Sequence, residues 1–295
     1  MANLKEVKNR IVSVTSTQQI TSAMKMVAAA KLRRAQDKII QMRPYSQKMT
    51  KMLQNVTEGL DGSIENQFSV DREVNNVLLV VVSSDRGLCG AFNTNIFKNT
   101  VAHIEEKYSY EKKSGGLYIF PVGKRAYDYF RKGNYQLVDK YHDLFGHLNF
   151  DDAKKGADEI MNGFVDKKWD KVDLIYNEFK NVATQILRKE QFLPILAPEK
   201  PESTTNNSVD YLIEPSAKFV IEDLMPKSLR IQFYKALLES NASEHGARMS
   251  AMDQATENAG ELLKELKLTY NRTRQAAITK EILEIVGGAE ALASE

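Results

Sequence analysis

The sequence predicts an α/β chain in which long N- and C-terminal helices pair as an antiparallel coiled coil and a central, mostly parallel α/β domain lies between them. Three observations predict this. A heptad seam runs through the first sixty residues, a helical stripe of matching period runs through the last seventy, and strand, loop and helix patterns alternate in the middle. The corresponding domain boundaries are 1–60, 74–214 and 216–292.

With Leu4 at position a, the a series is Leu4, Ile11, Gln18, Lys25, Leu32, Ile39, Ser46, Leu53 and Leu60. The d series is Val7, Val14, Thr21, Ala28, Ala35, Met42, Met49 and Val56. A register held this long specifies a coiled-coil helix. Asn3 and Glu6 have the spacing of a capping box. Pro44 removes one backbone hydrogen bond, so a bend is expected near Ile40 to Arg43.

From Val74 the period changes. Asn76 to Val82 reads as a strand buried on both faces, followed by a glycine-bearing turn and a helix from Asn95 to Tyr108. Leu117–Val122, Gln136–Tyr141 and Val172–Phe179 read as further strands, with helices over Lys124–Lys132 and Asp152–Lys168. The order implies an incomplete Rossmann-like sheet. Gln185–Leu193 and Tyr211–Ile213 read as edge strands around a linker from Pro194 to Ser208. Ser216 is a candidate N-cap for the last helix, and Pro226 is expected to break it before it resumes.

The last helix carries its apolar and small residues at alternating spacings of three and four: Met249, Met252, Thr256, Ala259, Leu263, Leu266, Tyr270, Thr273 and Ala277. A second row, Ala255, Leu262, Thr269, Ala276 and Leu283, is too wide for one partner helix to cover, so neighbours are expected on more than one side.

Three stretches carry a resemblance to a known family. They are SVTSTQQITSAMKMVAAAKLRRAQ (Ser13 to Gln36), SSDRGLCGAFN (Ser83 to Asn93) and the run from Ser243 to Leu292, in which Ile278, Thr279, Glu281, Glu284, Gly288, Ala289 and Ala291 fit a C-terminal signature. The chain resembles the gamma subunit of F-type ATP synthases. The resemblance implies a central shaft with no active site of its own, no cofactor and no metal. That shaft would turn inside three alpha and three beta subunits and couple proton or sodium flow to ATP synthesis or hydrolysis. It further implies contacts with the epsilon subunit and the membrane c-ring, and a peripheral place on the cytoplasmic side of a bacterial inner membrane. Residue by residue, it assigns Met24 and Lys25 to one beta-subunit loop and Arg274 and Gln275 to another. Lys25, at an a position, could equally specify coiled-coil register. Residues 94 to 210 are read by pattern alone.

Composition narrows the alternatives. The longest apolar run is Val77 to Val82, far short of a membrane span, and no signal-like segment follows Met1, so the chain is expected to be soluble or peripheral, without direct membrane insertion. A single cysteine, Cys89, excludes an internal disulfide. Net charge is +2, yet residues 1–50 hold ten basic side chains against two acidic ones. Among them Lys31, Arg33 and Arg34 form a face suited either to solvent or to acidic partner surfaces. The absence of interleaved aromatics argues against nucleic acid.

A nucleotide-binding sensor domain with a dimerisation rod is the rival reading, and it would place its ligand at Ser83–Gly90. Two glycines spaced Gly-x-x-Gly fit neither the dinucleotide fingerprint nor the phosphate loop. A tight turn, with Asp85 and Arg86 as a local ion pair, is the simpler expectation. His103, His142, His147 and His245 fit no zinc spacing and are expected on the surface or in loops. Cys89 is expected to pack a turn.

Overall fold

The computed structural model describes residues 4–58, 67–70, 72–146, 148–195 and 217–293. The Asn3 cap, the seam position Leu60, His147, the strand Tyr211–Ile213, the Ser216 cap and most of the Pro194–Ser208 linker lie outside them, as do the side chains of Leu53 and Val56. The elements in order are α1 (Leu4–Glu58), β1 (Val77–Val82), α2 (Phe92–Lys107), α3 (Ser109–Ser114), β2 (Leu117–Val122) and α4 (Lys124–Lys132). Then come β3 (Gln136–Leu137), α5 (Phe150–Val165), β4 (Lys171–Phe179), β5 (Gln185–Leu193) and α6 (Ala217–Ala293). They form two compact units, one holding the residues up to Ala28 and from Met249, the other Ala29–Arg248.

In the larger unit the strands lie in the order β3-β2-β1-β4-β5. The first four are parallel and β5 runs antiparallel on the edge. All six residues of β1 are fully buried, because both faces of the sheet are covered. Val77, Leu79 and Val81 face α2 and α4 through Phe92, Ile96, Ile104, Ala126 and Phe130. Leu78, Val80 and Val82 face α5 and α6 through Ala157, Ile160, Phe164, Leu229 and Phe233. Each large side chain so buried contributes about 1.5–3 kcal/mol.

Two expectations need correction. β3 is two residues long instead of reaching Tyr141, because the chain turns there: Tyr141 stacks on Phe120 at 5.7 Å and the His142 ring meets the Asp139 carbonyl at 2.6 Å. Pro226 does not break the last helix, and α6 runs through it. Just beyond it Leu229, Phe233 and Leu237 are buried against the sheet, and that burial outweighs the roughly 3 kcal/mol a helix-interior proline costs. α1 likewise continues through Pro44. Ile40, whose carbonyl loses its donor, is 65% exposed, so water can reach it.

The heptad register matches the burial pattern residue by residue. Val7, Thr21, Ala28, Leu32, Ala35, Ile39 and Met49 are buried, and the other described seam side chains are half-buried.

Candidate functional site

In the smaller unit the helices run antiparallel and their seam is partly polar. Lys25 forms an ion pair with Asp253, the Thr21 and Thr256 hydroxyls lie 2.8 Å apart, and a side chain at Gly260 would press on Gln18. Polar groups at a and d positions cost stability and specify alignment, since a slip of one heptad would leave each without its mate. Lys25 therefore has a partner within the chain. Met24 beside it is half-buried.

Further along, Glu6, Val7 and Arg10 line a cavity of about 320 Å³ with Leu262, Glu265 and Leu266. Past Thr273 the pairing stops, and every described side chain from Arg274 to Ala289 is exposed. Arg274 and Gln275 stand at the start of this bare segment. Ile278, Ile282, Ile285 and Val286 follow at spacings of four, three and one, so one apolar stripe of the bare helix is open, with exposures of 48–66%. The paired part of the rod also exposes Val12, Ile20, Met26 and Val27. Lys25 pairs with Asp253, twenty-one residues before Arg274, so the two predicted contact pairs are about 30 Å apart along the helix and form no single site.

In the larger unit Arg33 and Arg34 are exposed on α1, while Leu32 and Ala35 on its other side are buried. The Ser83–Gly90 loop is spent on itself. The Ser84 hydroxyl donates to the Arg86 carbonyl at 2.7 Å, the Ser84 amide donates to Asn93, and Asn93 also reaches Cys89 at 3.3 Å. Gly90 has φ +60° and Leu88 φ +63°, so the turn uses the left-handed region twice. Carbonyls, where a phosphate would need N–H donors, face the neighbouring helix: Arg248 donates to the carbonyls of Arg86 and Gly87 at 3.0 and 3.2 Å. The expected Asp85–Arg86 ion pair is replaced, since Asp85 accepts the Lys124 amide at 3.1 Å. Burial pushes the Cys89 thiol up, away from the reactive thiolate.

Two histidines are not on the surface. His103, on α2, is buried, its ring 2.9 Å from a carboxylate oxygen of Asp173 that also accepts the Tyr108 hydroxyl at 2.6 Å. His245 is buried within α6 beside Arg248, and burial lowers its pKa to about 4. Sequence reasoning missed both. It also missed Glu239, Ser243 and Arg248, whose only signal was a run of polar residues, ESNASEHGAR, with no room for an apolar stripe. Among the described residues no group of three His, Cys, Asp or Glu could hold a metal, and no helix is long and apolar enough to cross a membrane.

A family model described as ATP synthase matches residues 3–292. The ATP synthase gamma chain of Cytophaga hutchinsonii is 56% identical over 99% of both chains, and that of Christiangramia forsetii is 52% identical over the same shares. The chain belongs to the ATP synthase gamma-chain family. The fold agrees with that membership. A chain of the Euglena gracilis mitochondrial ATP synthase, in a structure of its OSCP, F1 and c-ring parts, superposes with a TM-score of 0.68 at 23% identity, over 98% of this chain and 94% of that one. In gamma-chain terms, the coiled coil, the bare C-terminal helix and the α/β domain are the parts from which a function must be built.

Proposed function

We propose that this gamma chain is the non-catalytic central shaft of its ATP synthase complex, turning within three alpha and three beta subunits so that ion flow and ATP chemistry are coupled. The observation that carries this reading is the bare helix from Arg274 to Ala289, with Ile278, Ile282, Ile285 and Val286 open along one side. A solitary apolar stripe on a helix end requires an enclosing partner. A shaft without threefold symmetry touches each of three surrounding sites differently. Every angle therefore assigns three conformational free energies, and rotation permutes them.

Membership of the family supports alpha, beta and epsilon subunits and the c-ring as partners, with a peripheral place on the cytoplasmic side of a bacterial inner membrane. Met24, Lys25, Arg33, Arg34, Arg274 and Gln275 are proposed to face those partners. The self-satisfied Ser83–Gly90 loop favours this reading over a nucleotide sensor.

Co-expression with alpha and beta subunits tests it. A complex holding one copy of this chain, whose ATP turnover depends on residues 274–293, is expected. Stable turnover by the chain alone, or failure to join the other subunits, would overturn it.

A further inference from the structure

In a sheet of order β3-β2-β1-β4-β5 the crossovers from β1 and into β4 leave in opposite directions, and a crevice opens at the carboxyl ends of these two strands. Doubly wound folds usually hold ligands there. Here the pairing of β1 with β4 ends at Val81 and Ile175, while β4 continues to Phe179, so its last backbone groups lose their strand partner on that side. Helix α6 takes the vacated place. The buried Ser243 hydroxyl donates to the Asn177 carbonyl at 3.1 Å, and Glu239 accepts the Phe179 amide at 3.1 Å. One turn further on, Arg248 donates to the carbonyls of Arg86 and Gly87 beyond the end of β1. Gly246 permits the approach, since a Cβ there would lie 3.3 Å from the Phe179 ring.

We propose that this crevice is a torque clamp, in which the site a Rossmann-like sheet ordinarily gives to a ligand holds the chain's own shaft helix against rotation relative to the α/β domain. The proposal rests on the shaft reading above. The chain enters the domain from α1 and leaves it into α6, and backbone single bonds turn readily, so twist passes between α6 and the sheet mainly through non-covalent contacts. The apolar contacts of Leu229, Phe233 and Leu237 are non-directional and resist rolling weakly. The hydrogen bonds that Ser243 and Arg248 donate to backbone carbonyls, and the one that Glu239 accepts from the Phe179 amide, are directional and oppose it. Arg248 is itself held by Glu244 at 2.6 Å, which aims its guanidinium at the loop. Ser243 and Arg248 are thus positioning residues for rotary coupling.

Two measurements on Arg248→Ala test the clamp. In the purified chain, hydrogen exchange at the amides of residues 84–90 should quicken about tenfold, the factor expected when a charged hydrogen bond is lost. In the assembled complex in membrane vesicles, ions moved per ATP hydrolysed should fall while hydrolysis persists, because a slipping domain uncouples without stopping chemistry. Arg248→Lys, which can still reach one carbonyl, should give an intermediate ratio, and it serves in place of Arg248→Ala if that variant does not assemble. Unchanged exchange means the loop is not held, and a parent-like ratio despite faster exchange means the contact carries no torque; either result refutes the clamp. Failure of the unaltered chain to join alpha and beta subunits would instead refute the shaft reading, and the exchange result would still stand or fall by itself.

Discussion

Arg43 donates from Nε and Nη2 to one oxygen of Glu239, at 3.2 and 3.0 Å, while the other oxygen of Glu239 accepts the Phe179 amide. The Glu239 side chain is 1% exposed, so its charge is compensated by α1 and by the end of β4 and not by water. Glu239→Ala leaves the Phe179 amide without its acceptor, while Arg43, 45% exposed, can turn to water. It should destabilise the larger unit by about 1–3 kcal/mol, whereas Glu239→Gln should cost less because its amide oxygen still accepts. Urea titrations compare the two, and a loss below about 1 kcal/mol for the alanine variant would contradict the account.

The ion pair of Lys25 with Asp253 is of another kind, since its side chains are 41% and 45% exposed. A double-mutant cycle should give a coupling of only about 0.2–1 kcal/mol, shrinking with added salt. A coupling that exceeds this and ignores salt would mean the pair is buried in solution.

His245 ties stability to pH. Burial, then the Arg248 and Lys31 charges, lower its folded pKa from 6.5 to about 4. The unfolded chain therefore takes up this proton first, and stability should fall by about 2–3 kcal/mol as pH drops from 6.5 towards 4. Glu244, whose pKa burial raises, binds its proton more readily when folded and offsets part of the loss. His245→Gln should flatten this slope, as chemical denaturation at several pH values would show.

Arg274 and Gln275 lie where α6 has no described partner helix, so their loss should leave the fold alone. Arg274→Ala with Gln275→Ala is expected to keep helicity by circular dichroism and assembly with the other subunits, while lowering ATP turnover. Normal turnover would remove these residues from the partner interface.

The exposed Lys31, Arg33 and Arg34 are expected to steer association towards acidic surfaces over about 10 Å at 0.1 M salt. Reversing all three to Glu should slow assembly at low ionic strength and much less at high. Equal rates at low salt would leave them as a solvated face.

The rod and the long strands were legible in the sequence, because both depend on periodicity, whereas β3 was cut short by a turn that periodicity does not encode. Leu4 to Met49 kept its register, and Val77–Val82 is the doubly buried strand its unbroken apolar run implied. The family too was legible, since long motifs at both ends do not depend on how the chain packs. The tertiary structure alone decided where polar groups find one another. Lys25 meets Asp253, Arg43 meets Glu239, and His103 meets Asp173 across separations of 228, 196 and 70 residues, and no local pattern encodes such pairings. Pro226 shows the same limit from the other side. Its intrinsic tendency to stop a helix lost to the burial of Leu229, Phe233 and Leu237, a term that exists only once the sheet is assembled.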